Sequence, residues 1–170
     1  MSNSGSDVII GLDLGTKCGW AVLHKKKRIA SGRWILHRPN THRALRWLTF
    51  EKELSQIVWE YEPEVIAYER VRRHVGTGAA HVYGGFLASL DRLGFSWDNK
   101  NSSIGLGLEL TPLEISTWRK AACGRGNVSK LEVMNWAKKR FRYTAKTDDE
   151  AEALAVAEAM RRIRAGEYIP

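Results

Sequence analysis

The sequence predicts an α/β protein whose five-stranded mixed sheet is flanked by helices. Residues 7–13, "DVIIGLD", are apolar on both faces of a strand, which is typical of the centre of a sheet. Two more strand patterns follow at once, and a long helical pattern then precedes another short strand. This order predicts an antiparallel meander of strands one to three, followed by parallel strands four and five.

The meander follows from alternation and from one turn. In the first strand, Ile9, Gly11 and Asp13 share a face. Residues 19–24 and 29–36 are predicted to be strands two and three, joined at the basic turn "KKKR". We assign no function to that turn.

The later helices and strands are predicted from apolar residues at helical spacing and from proline, which ends a helix. Apolar residues at helical spacing predict a helix over residues 41–61, which Pro63 ends. Because a long helix precedes it, the strand "EVIAYE" at 64–69 should lie parallel to the first strand by a right-handed crossover. We also predict a strand at 108–110 and helices at 79–93, 112–122, 129–141 and 148–164.

Length and composition indicate one globular domain over residues 1–170, with residues 1–6 disordered. No apolar run approaches the roughly 20 residues of a membrane span, and no basic segment precedes an apolar one at the N-terminus. Cys18 and Cys123 form no CxxC pair. We therefore expect a cytoplasmic protein with no membrane partner.

Positive charge is unevenly distributed in this chain of net charge +8. Residues 119–146 contain nine Lys or Arg and one acid, Glu132. Such a stretch, with Arg125 and Lys130 at its glycine-rich centre, is typical of a surface that binds the phosphates of nucleic acid. A solvated face is the alternative.

Two predicted strands end on an acid, Asp13 and Glu69. In open α/β sheets, ligands bind outside the carboxyl ends of the strands. If the two strands are neighbours, about 4.8 Å apart, both carboxylates can share a cation. Alternatively, each acid caps a turn.

A third segment, "KTDDEAEALAVAEA" at 146–159, adds further acids. Thr147 and Glu150 have capping-box spacing, which predicts a helix from Asp148. Asp149 and Glu152 lie three residues apart on one face. Because that face continues into alanine and valine, we expect it to pack on the sheet and to point both acids at the strand ends.

Four carboxylates in a partly dry cleft repel one another unless cations neutralise them. Carboxylate ligands without Cys or His suit Mg²⁺ or Mn²⁺ rather than Zn²⁺. Two such ions per site would activate a water and stabilise the leaving oxygen in phosphodiester cleavage.

The chain resembles the RuvC family of Holliday-junction resolvases, within the RNase H-like superfamily. The resemblance lies in "IIGLDLGTKCGWAV", "VIAYERV", "GRGNVSKLEVMNWAKKRF" and "DDEAEALAVAEA". It implies an RNase H-like nuclease that cuts four-way junctions or other branched DNA. It also implies that Asp13 bridges two metal ions, that Glu69, Asp149 and Glu152 complete the site, and that Lys130 lies near the scissile phosphate.

The chain departs from the family pattern at two positions. Glu152 stands where aspartate is commoner, and Leu14 stands where many members have proline. Asp148 also competes with Asp149 for the ligand role. The compact length and divergent motifs are typical of a bacteriophage member, acting in the cytoplasm of a bacterial host.

Two other functions compete with this interpretation. "GLDLGT" also resembles the first phosphate loop of actin-like ATPases, but those enzymes need a second lobe that 170 residues do not supply. A non-catalytic protein that binds branched DNA would use the same acids structurally.

The segment "RVRRHVGTG" at 70–78 directly follows Glu69 and predicts a DNA contact. Its candidate residues are Arg70, Arg72, Arg73 and His74, ahead of glycines that adapt to an irregular backbone. A homodimer is expected because symmetric cutting needs two sites. Gly84 and Gly85 inside a helical run favour close approach of another backbone, either of a partner or of the chain's own elements.

Overall fold

This computed structural model describes residues 7–101 and 108–170, and side chains at 7–94 and 108–170. Within these residues, five strands form a single sheet in the order β3-β2-β1-β4-β5. The strands are β1 Val8–Asp13, β2 Lys17–His24, β3 Lys27–Ile35, β4 Val65–Arg70 and β5 Glu109–Glu114. The predicted disorder of residues 1–6 lies outside the described residues.

Strand pairing confirms the predicted mixed sheet. β1 pairs antiparallel with β2, which pairs antiparallel with β3. β1 also pairs parallel with β4, and β4 pairs parallel with β5. The crossover over a long helix therefore returns the chain beside its first strand, as predicted.

Within residues 7–101 and 108–170, five helices flank the sheet. They are α1 Leu45–Tyr61, α2 Gly76–Asn101, α3 Ile115–Cys123, α4 Lys130–Phe141 and α5 Asp148–Arg164. α1 begins at residue 45 rather than 41, and α2 begins at residue 76 rather than 79. In the described part of the chain, no helix is long and apolar enough to cross a membrane.

The predicted start of a helix at Pro112 is wrong. Pro112 lies within β5, opposite Tyr68 of β4, and the helix α3 begins only at Ile115. β5 is an edge strand, where the missing N–H of proline costs no ladder hydrogen bond on the open side. Proline at a possible first helical position was therefore a misleading signal.

Alternation along the strands divides the core into two clusters. Ile9 and Ala67 face α3, α4 and α5 in one cluster. Ile10 and Ile66 pack against α1 and α2 in the other. Asp13 and Glu69 share the parity of Ile9 and Ala67, so both acids belong to the α5 face.

A buried ion network holds the helices of that face together. Glu158 of α5 is fully buried and accepts hydrogen bonds from Arg140 of α4 at 3.0 Å and from Arg161 at 2.9 Å. Burial alone would raise the pKa of Glu158, but these hydrogen bonds outweigh it and lower the pKa. Arg162 joins the network and also donates to the carbonyl of Ala121 in α3 at 2.9 Å.

Candidate active site

The carboxyl ends of β1 and β4 lie side by side. Leu12 is in register with Tyr68 in this parallel pair, and the same register continued by one residue places Asp13 beside Glu69. Both acids point to the face covered by α5. The sheet therefore brings together the two strand-end acids singled out in the sequence.

Two glycines allow α5 to approach the sheet closely. A Cβ on Gly11 of β1 would collide with the carbonyl oxygen of Ala153, and one on Gly19 of β2 would collide with that of Asp149. Any side chain at either position would force the helix away from the strands. The first turns of α5 therefore carry Asp149 and Glu152 into the neighbourhood of Asp13.

The first turn of α5 is anchored by a buried carboxylate. Glu150 accepts hydrogen bonds from Ser31 of β3 at 2.6 Å, from Tyr143 at 2.9 Å and from the backbone N–H of Lys146 at 2.7 Å. Thr147 caps the helix by accepting from the N–H of Glu150, so only half of the predicted capping box forms. Glu150 thus fixes the position of its neighbour Asp149.

Burial and mutual repulsion raise the pKa values of carboxyl groups in the cluster. The pKa of Asp13 is raised well above its ordinary value, first by burial and then by the charges of Glu152, Glu69 and Asp149. Burial also raises the pKa of Glu69 and of Glu152. The carboxyl groups of Asp13 and Glu152 are close enough to share a hydrogen bond. This concentration of negative charge favours a bound cation.

Three side chains that sequence reasoning did not single out contact these acids. Arg33 of β3 lies 3.2 Å from Oδ2 of Asp149, and Arg119 of α3 lies 3.5 Å from Oε1 of Glu152. Trp118 donates from Nε1 to Oε2 of Glu69 at 3.0 Å. The sequence indicates these two arginines only weakly. Alternation in β3 puts Arg33 on the same face as Ser31, and Arg119 belongs to the basic stretch at 119–146.

The donor set fits a hard divalent cation. Four carboxylates from three elements offer only oxygen ligands, which Mg²⁺ and Mn²⁺ prefer. Among the described residues, however, no three His, Cys, Asp or Glu side chains are already spaced to hold an ion. Arg33, Arg119 and Trp118 each contact one of the four acids. The carboxylates are therefore spaced as groups that are paired with protein donors.

Lys130 and Asp148 form a separate pair at the edge of the cluster. Lys130 is the first residue of α4, and its Nζ lies 2.6 Å from Oδ2 of Asp148. The hydrogen bond raises the pKa of Lys130 and lowers that of Asp148. Asp149 is instead one of the acids whose charge raises the pKa of Asp13. The charge of Asp148 contributes instead to the raised pKa of Glu152, so both acids act on the cluster.

The predicted DNA-contact loop lies beside α3. Arg72 pairs with Glu114 at 2.8 Å, and Arg70 lies 3.7 Å from the same carboxylate. Arg73 is exposed, and the ring of His74 lies 5.0 Å from that of Tyr83. Arg125, in the glycine-rich segment, pairs with Glu132. The loop follows Glu69 directly and so borders the cluster.

The fold is a five-stranded mixed α/β sheet flanked by helices, with a carboxylate cluster at the ends of two parallel strands. Several solved structures that are similar to this chain are Holliday-junction resolvases. Thermus thermophilus RuvC in complex with a Holliday junction substrate is similar with a TM-score of 0.79 and 19% identity, over 94% of this chain and 96% of that one. The chain therefore has the fold of the RuvC resolvases.

Two further resolvases are similar at lower scores. The yeast mitochondrial Holliday junction resolvase Ydc2 has a TM-score of 0.67 and 16% identity, over 95% of this chain and 80% of that one. Fowlpox virus resolvase, solved with substrate Holliday junction DNA, has a TM-score of 0.56 and 13% identity, over 91% and 97% of the two chains. No family model and no curated protein matches the sequence.

Proposed function

We propose that this chain is a divalent-metal-dependent endonuclease that cuts Holliday junctions and related branched DNA. The observation that carries the proposal is the convergence of Asp13, Glu69, Asp149 and Glu152 at the carboxyl ends of β1 and β4. The fold shared with resolvases supports the choice of substrate.

In this proposal, the four acids would hold two ions per site, either Mg²⁺ or Mn²⁺, with Asp13 among the ligands. Bound ions would supply an activated water and stabilise the leaving oxygen. The charges of Lys130 and Arg119 oppose the rise in the pKa of Glu152, and Arg119 lies 3.5 Å from Oε1 of this acid. We assign them to the scissile phosphate, whose charge they would balance.

DNA would bind across the basic residues near the cluster. The candidate residues come from two segments: the end of β4 with the loop that follows it (Arg70, Arg72, Arg73 and His74), and the stretch from the end of α3 to the start of α4 (Arg125 and Lys130). Their pairing with Glu114, Glu132 and Asp148 keeps the free surface from being uniformly positive. DNA phosphates would compete for these cations, which makes binding strongly dependent on salt.

We also propose a homodimer, because a four-way junction presents two equivalent strands and each chain offers one carboxylate cluster. The structure supports only one of the two glycines that suggested a dimer in the sequence. Gly85 packs against the indole of Trp47 within the same chain, whereas a Cβ on Gly84 would meet no atom within 4 Å. Of these two glycines, Gly84 therefore has open space beside it for a partner.

The test is cleavage of a labelled four-way junction with Mg²⁺, with Mn²⁺ and with EDTA, beside a linear duplex of the same arm sequence. We expect metal-dependent nicks near the crossover and little cutting of the duplex. Asp13→Asn should abolish the nicks. Asp7→Asn, at the exposed residue just before the opposite end of β1, is the matched control and should cut normally.

Other outcomes would point to the competing functions. Tight junction binding without any metal-dependent cutting would indicate a binding protein whose acids are structural. Hydrolysis of ATP in parallel assays would favour the actin-like alternative.

A further inference from the structure

Arg33 lies in the same row of the sheet as two of the candidate acids. It is paired in register with Gly19 of β2, and Gly19 is paired in turn with Asp13 of β1. Continued by one residue, the register of β1 with β4 adds Glu69 to the row. Arg33 therefore lies two strands away from Asp13, on the strand β3 at the edge of the sheet.

The glycine in this row allows Arg33 to reach a third acid. Gly19 has no side chain, and the backbone carbonyl of Asp149 occupies the space that a Cβ at this position would need. Asp149 of α5 therefore lies directly over the residue next to Arg33. Nη1 of Arg33 donates a hydrogen bond to Oδ2 of Asp149 at 3.2 Å. The ion pair links the edge strand to the first turn of α5.

Of the two partners, Arg33 is the one that can move. Its side chain is 31% exposed and belongs to an edge strand, so it can turn into solvent without disturbing the core. The contact with Asp149 is a single hydrogen bond rather than the stronger bidentate pair that arginine can form. Asp149 is instead fixed, because its backbone is packed on Gly19.

The charge balance of the cluster would change when metal ions bind. In the metal-free chain, Arg33 neutralises part of the negative charge. Two divalent ions would match the charge of the four carboxylates in the proposed site. Arg33 would then add positive charge beside the ions and would lose the attraction that holds it at Asp149. An ion and Arg33 therefore compete for the same carboxylate.

We propose that Arg33 is a built-in counter-ion of Asp149, which neutralises this acid in the metal-free chain and leaves it when a divalent ion binds. The inference rests on the proposed function, since it takes Asp149 as a metal ligand. Arg33 would thereby stabilise the metal-free chain and set the concentration of Mg²⁺ or Mn²⁺ at which the site fills.

The experiment measures the affinity of the whole chain for Mn²⁺ at pH 7 without DNA, by calorimetry and by the electron paramagnetic resonance signal of free Mn²⁺. Arg33→Gln removes the charge and keeps a polar side chain. We expect it to bind Mn²⁺ about 5- to 10-fold more tightly than wild type, because one unit charge beside a divalent ion is removed. Arg33→Lys keeps the charge and should stay close to the wild-type affinity.

Thermal melting gives a second readout that does not depend on cleavage. In EDTA, Arg33→Gln should melt about 2 to 4 °C below wild type, because the acids lose a neutralising charge. With saturating Mn²⁺ this deficit should disappear, since the ions take over the neutralisation. If Arg33→Gln does not fold in EDTA, Arg33→Met removes the same charge and takes its place with the same expectations.

Arg92→Gln is the matched control. Arg92 of α2 also pairs with a carboxylate, that of Glu51 in α1, and both helices pack on the opposite face of the sheet from α5. The control should leave the affinity for Mn²⁺ unchanged, and any effect on melting should be the same in EDTA and in Mn²⁺. Asp13→Asn shows whether the ions bind at the cluster, and it should weaken Mn²⁺ binding strongly.

The outcomes distinguish the two proposals. If Asp13→Asn weakens Mn²⁺ binding but Arg33→Gln leaves it unchanged or weakens it too, the counter-ion role of Arg33 is wrong and the metal site stands. A melting deficit in Arg33→Gln that is equal in EDTA and in Mn²⁺ would also overturn that role, because the ion pair would then be purely structural. Binding that is absent in wild type, or insensitive to Asp13→Asn, would overturn both the metal site and the role of Arg33.

Discussion

Trp118 donates a hydrogen bond from its indole Nε1 to Oε2 of Glu69 over 3.0 Å, although Trp118 is itself fully buried. Its ring belongs to the core cluster beneath α3, α4 and α5. The hydrogen bond thus connects the packing of the core directly to a carboxylate of the candidate site. Burial raises the pKa of Glu69, and this hydrogen bond opposes that effect.

Trp118→Phe should keep the fold and disturb Glu69. The variant loses the N–H and some volume, so we expect a loss of about 1 to 2 kcal/mol in the free energy of unfolding. Without the hydrogen bond, the pKa of Glu69 rises further, and the acidic limb of the cleavage profile should move to higher pH. Denaturant melts and cleavage rates across pH measure the two effects.

Trp136→Phe is the control, since Trp136 packs at the border of the same cluster and stacks edge-on with Phe141. It should cost stability but leave the pH profile in place. An unshifted profile in Trp118→Phe would mean that the indole serves only the core.

Replacing Arg72 and Arg73 by alanine should weaken junction binding and reduce its dependence on salt. Each lost phosphate contact lowers the slope of log K against log salt by about 0.9. Up to two contacts are removed. Glu114→Gln should act in the opposite direction, because Glu114 now neutralises Arg72 at 2.8 Å and competes with phosphate.

The matched control for that pair is Lys26→Ala with Lys27→Ala. Both lysines are exposed at the β2–β3 turn, at the opposite end of the sheet from Asp13. The control removes the same charge and should leave the slope nearly unchanged. Equal loss of slope in both double variants would show that net charge, rather than a contact at the loop, controls binding.

Gly84 and Gly85 should respond differently to substitution. Gly85→Ala places a Cβ against the indole of Trp47, so we expect a loss of about 1 to 3 kcal/mol with no change in oligomeric state. Gly84→Glu has open space and should not destabilise the chain, but its charge would weaken a dimer formed through this face of α2. Sedimentation over a range of concentrations, with denaturant melts, distinguishes the two variants.

A wild-type chain that stays monomeric at micromolar concentration, both free and on junction DNA, would contradict the homodimer. Dissociation by Gly85→Ala but not by Gly84→Glu would place the interface elsewhere.

The elements that local pattern determines were predictable from the sequence. Alternation in residues 7–13 placed Asp13 on the face of Ile9, and the long crossover made β4 parallel to β1. Together these two facts put Asp13 beside Glu69. The helical spacing of Asp149 and Glu152 then placed both on the packed face of α5.

Contacts between distant side chains were not predictable in this way. Nothing in the local pattern of β3 says that Arg33 reaches Asp149, 116 residues further along the chain. The same holds for Trp118 and Glu69, which are 49 residues apart. Gly85 looked like an approach site for a partner because the sequence does not show that Trp47 fills the space beside it.

The Asp13→Asn variant tests the electrostatic design of the site through stability as well as activity. Burial and the charges of Glu152, Glu69 and Asp149 raise the pKa of Asp13 in the folded chain. The folded state therefore binds the carboxyl proton of Asp13 more tightly than the unfolded state, in which the pKa of this carboxyl is roughly 3.9. As pH rises above that value, ionisation of Asp13 destabilises the fold, and the loss is complete above the raised pKa.

Asparagine carries no charge, so Asp13→Asn should be more stable than wild type at pH 7 in EDTA. We expect its free energy of unfolding to be higher by at least about 1 kcal/mol. The advantage should shrink towards acid and vanish below a pH of roughly 4. Junction binding should persist or tighten, since one negative charge fewer faces the phosphates, and cleavage should be lost.

Asp148→Asn is the control, because its effect on stability at pH 7 should be opposite to that of Asp13→Asn. The hydrogen bond from Lys130 lowers the pKa of Asp148, so its charge stabilises the fold above the unfolded pKa, and that contribution is lost as pH falls through the lowered pKa. Asp148→Asn should therefore melt lower than wild type at pH 7, with a difference that narrows in acid. If Asp13→Asn also melts lower at pH 7 and still cuts junctions, Asp13 serves the turn at the end of β1 rather than a metal site, and the two-metal proposal fails with it.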